Sequence, residues 1–165
     1  MACVTLMSQY SASPAFFEVD CEGIDSRWLA KAKRFRLQVA WTDATAEKAE
    51  RLRATMPAKE VVELASVALA FALARRVLGL RQLVVTNRGE VADYRAPTAS
   101  RVLEVSGTER LAELDRRHRE KVAQALRNPF GWGAYVIVCG FAALEQRIRF
   151  SAHAWEESAH AEDKG

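Results

Sequence analysis

The stretch from Lys59 to Leu78, KEVVELASVALAFALARRVL, constrains this chain more than any other. Val61, Leu64, Val67, Ala68, Phe71, Leu73, Ala74 and Leu78 spread over nearly the whole circumference of a helix with 3.6 residues per turn. A helix apolar on so many sides needs protein on more than one of them, and a helix packed against a sheet is the expected arrangement. Pro57 suits its first turn and Gly79 its end.

Strands are legible on both sides of that helix. Before it, RFRLQVAW (Arg34 to Trp41) alternates, with Phe35, Leu37, Val39 and Trp41 on one face and Arg34, Arg36 and Gln38 on the other, which predicts a half-buried strand. Phe16 to Asp20 is a second short strand, and the residues up to Pro14 carry so little pattern that they are expected to be loosely held. A charged helix follows from Thr42-Asp43, supported by Glu47 and Arg51 at i,i+4. After the long helix come Leu83 to Thr86, a turn at Asn87-Arg88-Gly89, and strands over Val91 to Arg95 and Arg101 to Ser106. Thr108 is the expected N-cap of a helix running to Leu126 and stopped by Asn128-Pro129. Ala134 to Cys139 reads as a buried strand and Arg147 to Phe150 as an alternating one. The expected fold class is therefore α/β, a mixed central sheet flanked by helices. Its expected organisation is an N-terminal strand and helix extension over 1–56, an α/β core over 57–154 and a polar tail over 155–165.

With 165 residues, one domain with a real core is expected. The longest apolar run, Val61 to Ala74, is interrupted by Glu63 and falls short of the ~20 residues of a membrane span, so no membrane association is expected. The start of the chain lacks a basic segment followed by a long apolar one, so no signal peptide is expected. Cys3, Cys21 and Cys139 are odd in number and show no CxxC spacing, and they read as free thiols of a reducing, cytoplasmic compartment. A net charge of +3 permits contact with nucleic acid without requiring it. No Walker A, GxGxxG, nucleophile elbow or HExxH is present, which leaves nucleotide-fold and serine-hydrolase chemistry without a basis.

The chemistry-bearing stretch is GEVADYRAPTASRVLEVSGT, Gly89 to Thr108. Pro97, Thr98 and Ser100 supply turn residues, and a bend centred between Thr98 and Ala99 places Asp93 opposite Glu104. Cross-strand neighbours have Cβ atoms about 4.5–5.5 Å apart. Two carboxylates that close repel one another unless a cation or a proton stands between them.

A helix, three meandering strands, a helix and a strand, with Asp93 on the second strand and Glu104 on the third, resembles the core of the restriction-endonuclease-like PD-(D/E)xK nuclease superfamily. The resemblance spans about Pro57 to Cys139. It implies that Asp93 and Glu104 hold a divalent metal, Mg²⁺ or Mn²⁺, with Glu63 on the long helix as a third acidic ligand. It also implies a basic residue two positions after the second acid, where this chain has Ser106. Some members relocate that residue to the following helix, where Lys121 forms a row with Arg117 and Gln124. On this resemblance Asp93, Glu104 and Lys121 are the catalytic set, while Arg95, Arg101, Arg117 and Arg127 neutralise phosphates of a nucleic acid. The implied function is a metal-dependent phosphodiesterase serving as a subunit of a prokaryotic defence or DNA-processing system. The alternative is an inactive pseudo-nuclease kept as a structural subunit; protein partners or a homo-oligomer suit either.

The same residues admit plainer accounts. Asp93 and Glu104 pair with Arg95 and Arg101, Glu63 finds a core hydrogen bond, and Arg117, Lys121 and Gln124 form a solvated helix face. His118 lies on the apolar stripe of its helix and reads as a satisfied boundary histidine. His153 and His160 offer no ligand spacing, and the four tryptophans read as packing.

Overall fold

The computed structural model describes residues 1–10, 13–24, 33–87, 91–143 and 145–155. The elements follow in the order α1 (Ala2–Met7), β1 (Ala15–Glu22), β2 (Arg34–Val39), α2 (Asp43–Thr55), α3 (Ala58–Val77), β3 (Val84–Val85), β4 (Tyr94–Ala96), β5 (Arg101–Thr108), α4 (Leu114–Ala125), β6 (Gly133–Phe141) and β7 (Gln146–His153). They build one mixed sheet of seven strands in the spatial order β2-β1-β7-β6-β5-β4-β3, flanked by helices. The β5–β6 and β1–β7 pairs are parallel and the others antiparallel. No helix among the described residues is long and apolar enough to cross a membrane.

Side chains alternate across the strands, so β5 and β6 each contribute to two cores. Phe17, Val19, Leu103, Val105, Ile137, Phe141, Ile148 and Phe150 face α1 and α3. On the other face Val102, Val136 and Val138 pack under α4 against Leu114 and Ala125. α4 ends where the buried Asn128 holds the following turn: its Nδ2 donates to the carbonyls of Ala125 and Trp132, and its Oδ1 accepts from the Phe130 and Trp132 amides. α4 thus closes the crossover unit β5-α4-β6 that joins two neighbouring parallel strands.

Three expectations need correction. The first residues are not loose: α1 is a helix with Cys3, Val4, Leu6 and Met7 buried. Six residues are too few to show a helical period, yet their apolar character suits a helix sealed under α3. The long helix is not covered all round either, since Leu64 and Phe71 remain 47% and 40% exposed. Its buried face is the row through Val61, Ala65, Leu69 and Leu73, with Val62 and Ser66 beside it. Thr108 does not cap α4. Its Oγ1 accepts from the Arg110 amide and closes a turn before a short 3₁₀ segment at Leu111–Glu113, and α4 begins only at Leu114. The expected turn at residues 88 and 89 and the polar tail after Trp155 lie outside the described residues.

Candidate functional site

The β4–β5 hairpin sets the site. Its register pairs Tyr94 with Leu103, Arg95 with Val102 and Ala96 with Arg101. The connection is a 3₁₀ turn at Pro97–Ala99 followed by Ser100 in the left-handed region, φ 47°. One step beyond the last pair, Asp93 lies beside β5, and its Oδ2 accepts a 2.8 Å hydrogen bond from the Val105 amide. Asp93 is thereby tied to the backbone of the neighbouring strand.

Glu104 points to the α4 side of β5 and is fully buried. α4 lies over that face, and Lys121 Nζ reaches Glu104 Oε1 at 2.5 Å. The same ammonium donates to Gln124 Oε1 at 3.0 Å, and Gln124 Nε2 donates to the Val91 carbonyl at 2.8 Å. Val91 holds φ at 46°, a conformation costly for a β-branched residue. Gln124 thereby ties the segment that leads into Asp93 to the lysine over Glu104. Burial, followed by the charge of Asp93, pushes the Glu104 carboxyl up to about 7, against the opposing pull of Lys121 and the Asp93 amide. Its Oε2 is buried without a hydrogen-bond partner among the described residues.

Asp93 and Lys121 open onto a cleft of about 810 Å³ between the first half of α3, the end of β5 and the start of α4. Ser106, two residues after Glu104, lines it. Glu63 also lines the cleft, but from α3, exposed and 3.9 Å from Lys59. It has neither the core partner of the plainer account nor a place in a cluster with the hairpin acids: no group of three His, Cys, Asp or Glu side chains is gathered among the described residues.

Of the four arginines expected to meet phosphate, only Arg117 lines the cleft. Arg95 lies over the Phe130 ring, 5.3 Å from its centroid. Arg101, at the opposite end of β5, covers Tyr135 at 5.4 Å and donates to the His153 carbonyl. Arg127 is exposed beyond the end of α4. The other arginines of the cleft are Arg110 and Arg116. They cluster with Arg117 around Glu113 at 3.2, 3.6 and 3.2 Å, and hydrogen bonds from Arg110 and Arg117 hold the Glu113 carboxyl below its ordinary range. In the sequence Arg116 reads as helix surface and Arg110 and Glu113 carry no signal, because adjacent charges at a helix start resemble ordinary solvated surface.

His118 is a satisfied buried histidine, its Nε2 2.7 Å from Ser151 Oγ. His153 meets the same hydroxyl at 2.8 Å, so Ser151 joins two rings that the sequence separates by 35 positions.

Compared with protein-family models, with curated proteins and with solved structures, the chain finds no match in any of the three.

Proposed function

We propose that this is a nuclease-like domain with a restriction-endonuclease-like, PD-(D/E)xK core, acting on nucleic acid as a metal-dependent phosphodiesterase within a prokaryotic defence or DNA-processing system. The order α3-β3-β4-β5-α4-β6, with an antiparallel β3-β4-β5 meander and β6 parallel to β5, supports the fold reading. The observation that carries the functional reading is the meeting of Asp93 and Lys121 at the wall of one open cleft, with the buried Glu104 bonded to Lys121 directly behind that wall. Lys121 stands where a relocated basic residue would act, while Ser106 occupies the ordinary position of the lysine.

The residues suit a hard divalent cation. Mg²⁺ is commonly held by one or two carboxylates, with water and substrate phosphate completing its shell. Asp93 and Glu104 are two such carboxylates, and the unpartnered Glu104 Oε2 is an oxygen that a cation would satisfy. Bound there, Mg²⁺ or Mn²⁺ would polarise a phosphodiester oxygen and lower the pKa of a water. Lys121 Nζ, oriented by Gln124, would hold a proton beside the reacting phosphate. Arg117 would offset phosphate charge, and the Ser106 hydroxyl would orient water at the cleft wall.

Two observations favour a second reading, an inactive pseudo-nuclease acting as a structural subunit through protein partners or a second copy. The motif lysine is replaced by Ser106, and Glu104 already has an ammonium as its counter-ion. Calorimetric titration of Mg²⁺ and Mn²⁺ into the wild type and into Asp93→Ala/Glu104→Ala, followed by cleavage assays on DNA and RNA with Lys121→Ala as control, separates the two. Heat lost in the double variant and cleavage lost in Lys121→Ala are expected of the enzyme. Silence in both assays with nucleic acid present leaves the scaffold.

A further inference from the structure

We infer that the arginine cluster around Glu113 is a phosphate subsite, seating the backbone of a nucleic-acid strand beside the phosphodiester held at Asp93 and Glu104. The inference rests on the nuclease reading for the identity of its ligand, and on the geometry of the cleft for the site itself.

The cluster sits at a helix start that also carries acidic residues, Glu113 at the N-cap and Asp115 in the first turn. The positive end of a helix dipole favours acidic residues in the first turn. α4 opens at Leu114 and places Arg116 and Arg117 within its first four residues, with Arg110 brought alongside by the turn that Thr108 closes. Arg116 and Arg117 make ion pairs with Glu113 and Glu120, and together with Arg110 they line the cleft. The guanidiniums and the helix start together present positive charge to one wall of the cleft, the arrangement that binds phosphate at helix N-termini.

The side chains are also held in place. Glu113 receives Arg110 and Arg117, and Arg117 Nη1 reaches the Gly107 carbonyl at 3.3 Å. Arg116 is shared between Glu113 and Glu120. Of the charges of this cluster that line the cleft, three guanidiniums stand against Glu113 and Glu109, a small positive excess. Glu109 accepts from the Tyr10 hydroxyl at 2.7 Å and is anchored to the segment after α1. Arginine forks fixed in this way lose less entropy on meeting a phosphate than free lysines would.

The cluster lies in register with the candidate catalytic residues. Arg117 precedes Lys121 by one helical turn, about 6 Å of axial rise, on the row that lines the cleft. A strand laid along that row meets Lys121 first and the arginines next. The subsite thus engages the phosphate that flanks the reacting one, and it does so through charge and not through base identity.

The test is binding of a fluorescent single-stranded oligonucleotide by the full chain in chelator, followed by anisotropy across a series of salt concentrations. The compared proteins are the wild type, Arg110→Gln/Arg116→Gln, and Arg75→Gln as a charge control at the far end of α3. Arg110 and Arg116 are 81% and 55% exposed, so the double variant keeps its fold, which a thermal melt verifies. On a single strand each lost phosphate contact flattens the plot of log K against log salt by about 0.7. The double variant is expected to flatten it by about twice that, and Arg75→Gln to leave it unchanged. No wild-type binding at low salt, an unchanged slope in the double variant, or an equal change in Arg75→Gln overturns the subsite. Cleavage with added Mg²⁺ is read separately. Cleavage with an unaltered slope rejects only the subsite, and an altered slope without cleavage rejects only the nuclease reading.

Discussion

Lys121 reaches from α4 to Glu104 in β5 at 2.5 Å, and it reaches a carboxylate with no exposed surface at all. The lysine is itself 28% exposed, so the pair spans the boundary between the sheet interior and the cleft. A charge in such a place is costly unless it is compensated. The compensation is partial, since burial and Asp93 outweigh Lys121 and raise the Glu104 carboxyl from 4.5 to about 7.

Glu104 therefore lowers stability as pH rises. Between pH 4.5 and about 7 the folded protein keeps a proton that the unfolded chain releases, so the stability gained in acid is lost on the way to neutrality. The loss is on the order of 3 kcal/mol. Glu104→Gln has no such proton to lose. In chelator it is expected to be more stable than the wild type above neutrality, as read from urea midpoints. A variant less stable than the wild type at alkaline pH would show that the ion pair outweighs the burial cost.

His118 works in the opposite direction. Burial, then Arg149 and His153, lower its pKa from 6.5 to about 4, so the unfolded chain binds a proton that the fold refuses. Its contribution is complete above 6.5 and is lost as pH falls toward 4. The two slopes oppose each other over nearly the same range, which predicts a rather flat wild-type profile. His118→Gln, which can still hydrogen-bond Ser151, is expected to lose stability more steeply with rising pH than the wild type. A profile parallel to the wild type would mean that the fold leaves the proton affinity of the histidine unchanged.

Gln124 holds the lysine and the Asp93 segment together through its two amide atoms. If the cleft is catalytic, Gln124→Ala is expected to slow single-turnover cleavage by about 10- to 100-fold, the usual cost of removing a partner that orients a site. Gln124→Glu keeps the acceptor for Lys121 but loses the donor to Val91, so it separates orientation of the lysine from support of the strained segment. Equal rates in the wild type and Gln124→Ala would remove the residue from the mechanism.

Local chemistry explains which parts of this arrangement could be read from the sequence. Pro97 to Ser100 fixes a hairpin whose observed register agrees with the expected bend, and Asp93 and Glu104 follow from it. The alternation of Arg34 to Val39 and the lysine row on α4 are equally local patterns. The parallel pairing of Glu18 with Arg147 joins residues far apart in the chain, and no local pattern encodes it. Nor does one encode the convergence of Ser151, His118 and His153. Val91 to Asp93 was expected to be strand. It is not, because the chain leaves the ladder there to take the left-handed turn that Gln124 secures. Arg95 and Arg101 were drawn off to aromatic rings, a choice made by packing partners from other elements.

Gly107 lies where α3 closely approaches the strand that carries Glu104. A Cβ built there would stand 2.2 Å from Ser66 Oγ, 2.7 Å from Val62 Cγ1 and 3.1 Å from the Val62 carbonyl. Ser66 cannot simply swing aside, since its hydroxyl donates to that carbonyl at 2.8 Å within the buried face of α3. Gly107→Ala must push the helix away from β5 and widen the cleft between them. Overpacking of this kind costs about 1–3 kcal/mol, and the urea midpoint is expected to fall accordingly. Because Arg117 donates to the Gly107 carbonyl, the same substitution is expected to weaken oligonucleotide binding in chelator. Arg110→Gln/Arg116→Gln should weaken binding while leaving the midpoint in place. A Gly107→Ala protein with unaltered stability would mean that α3 sits farther from β5 than these contacts place it.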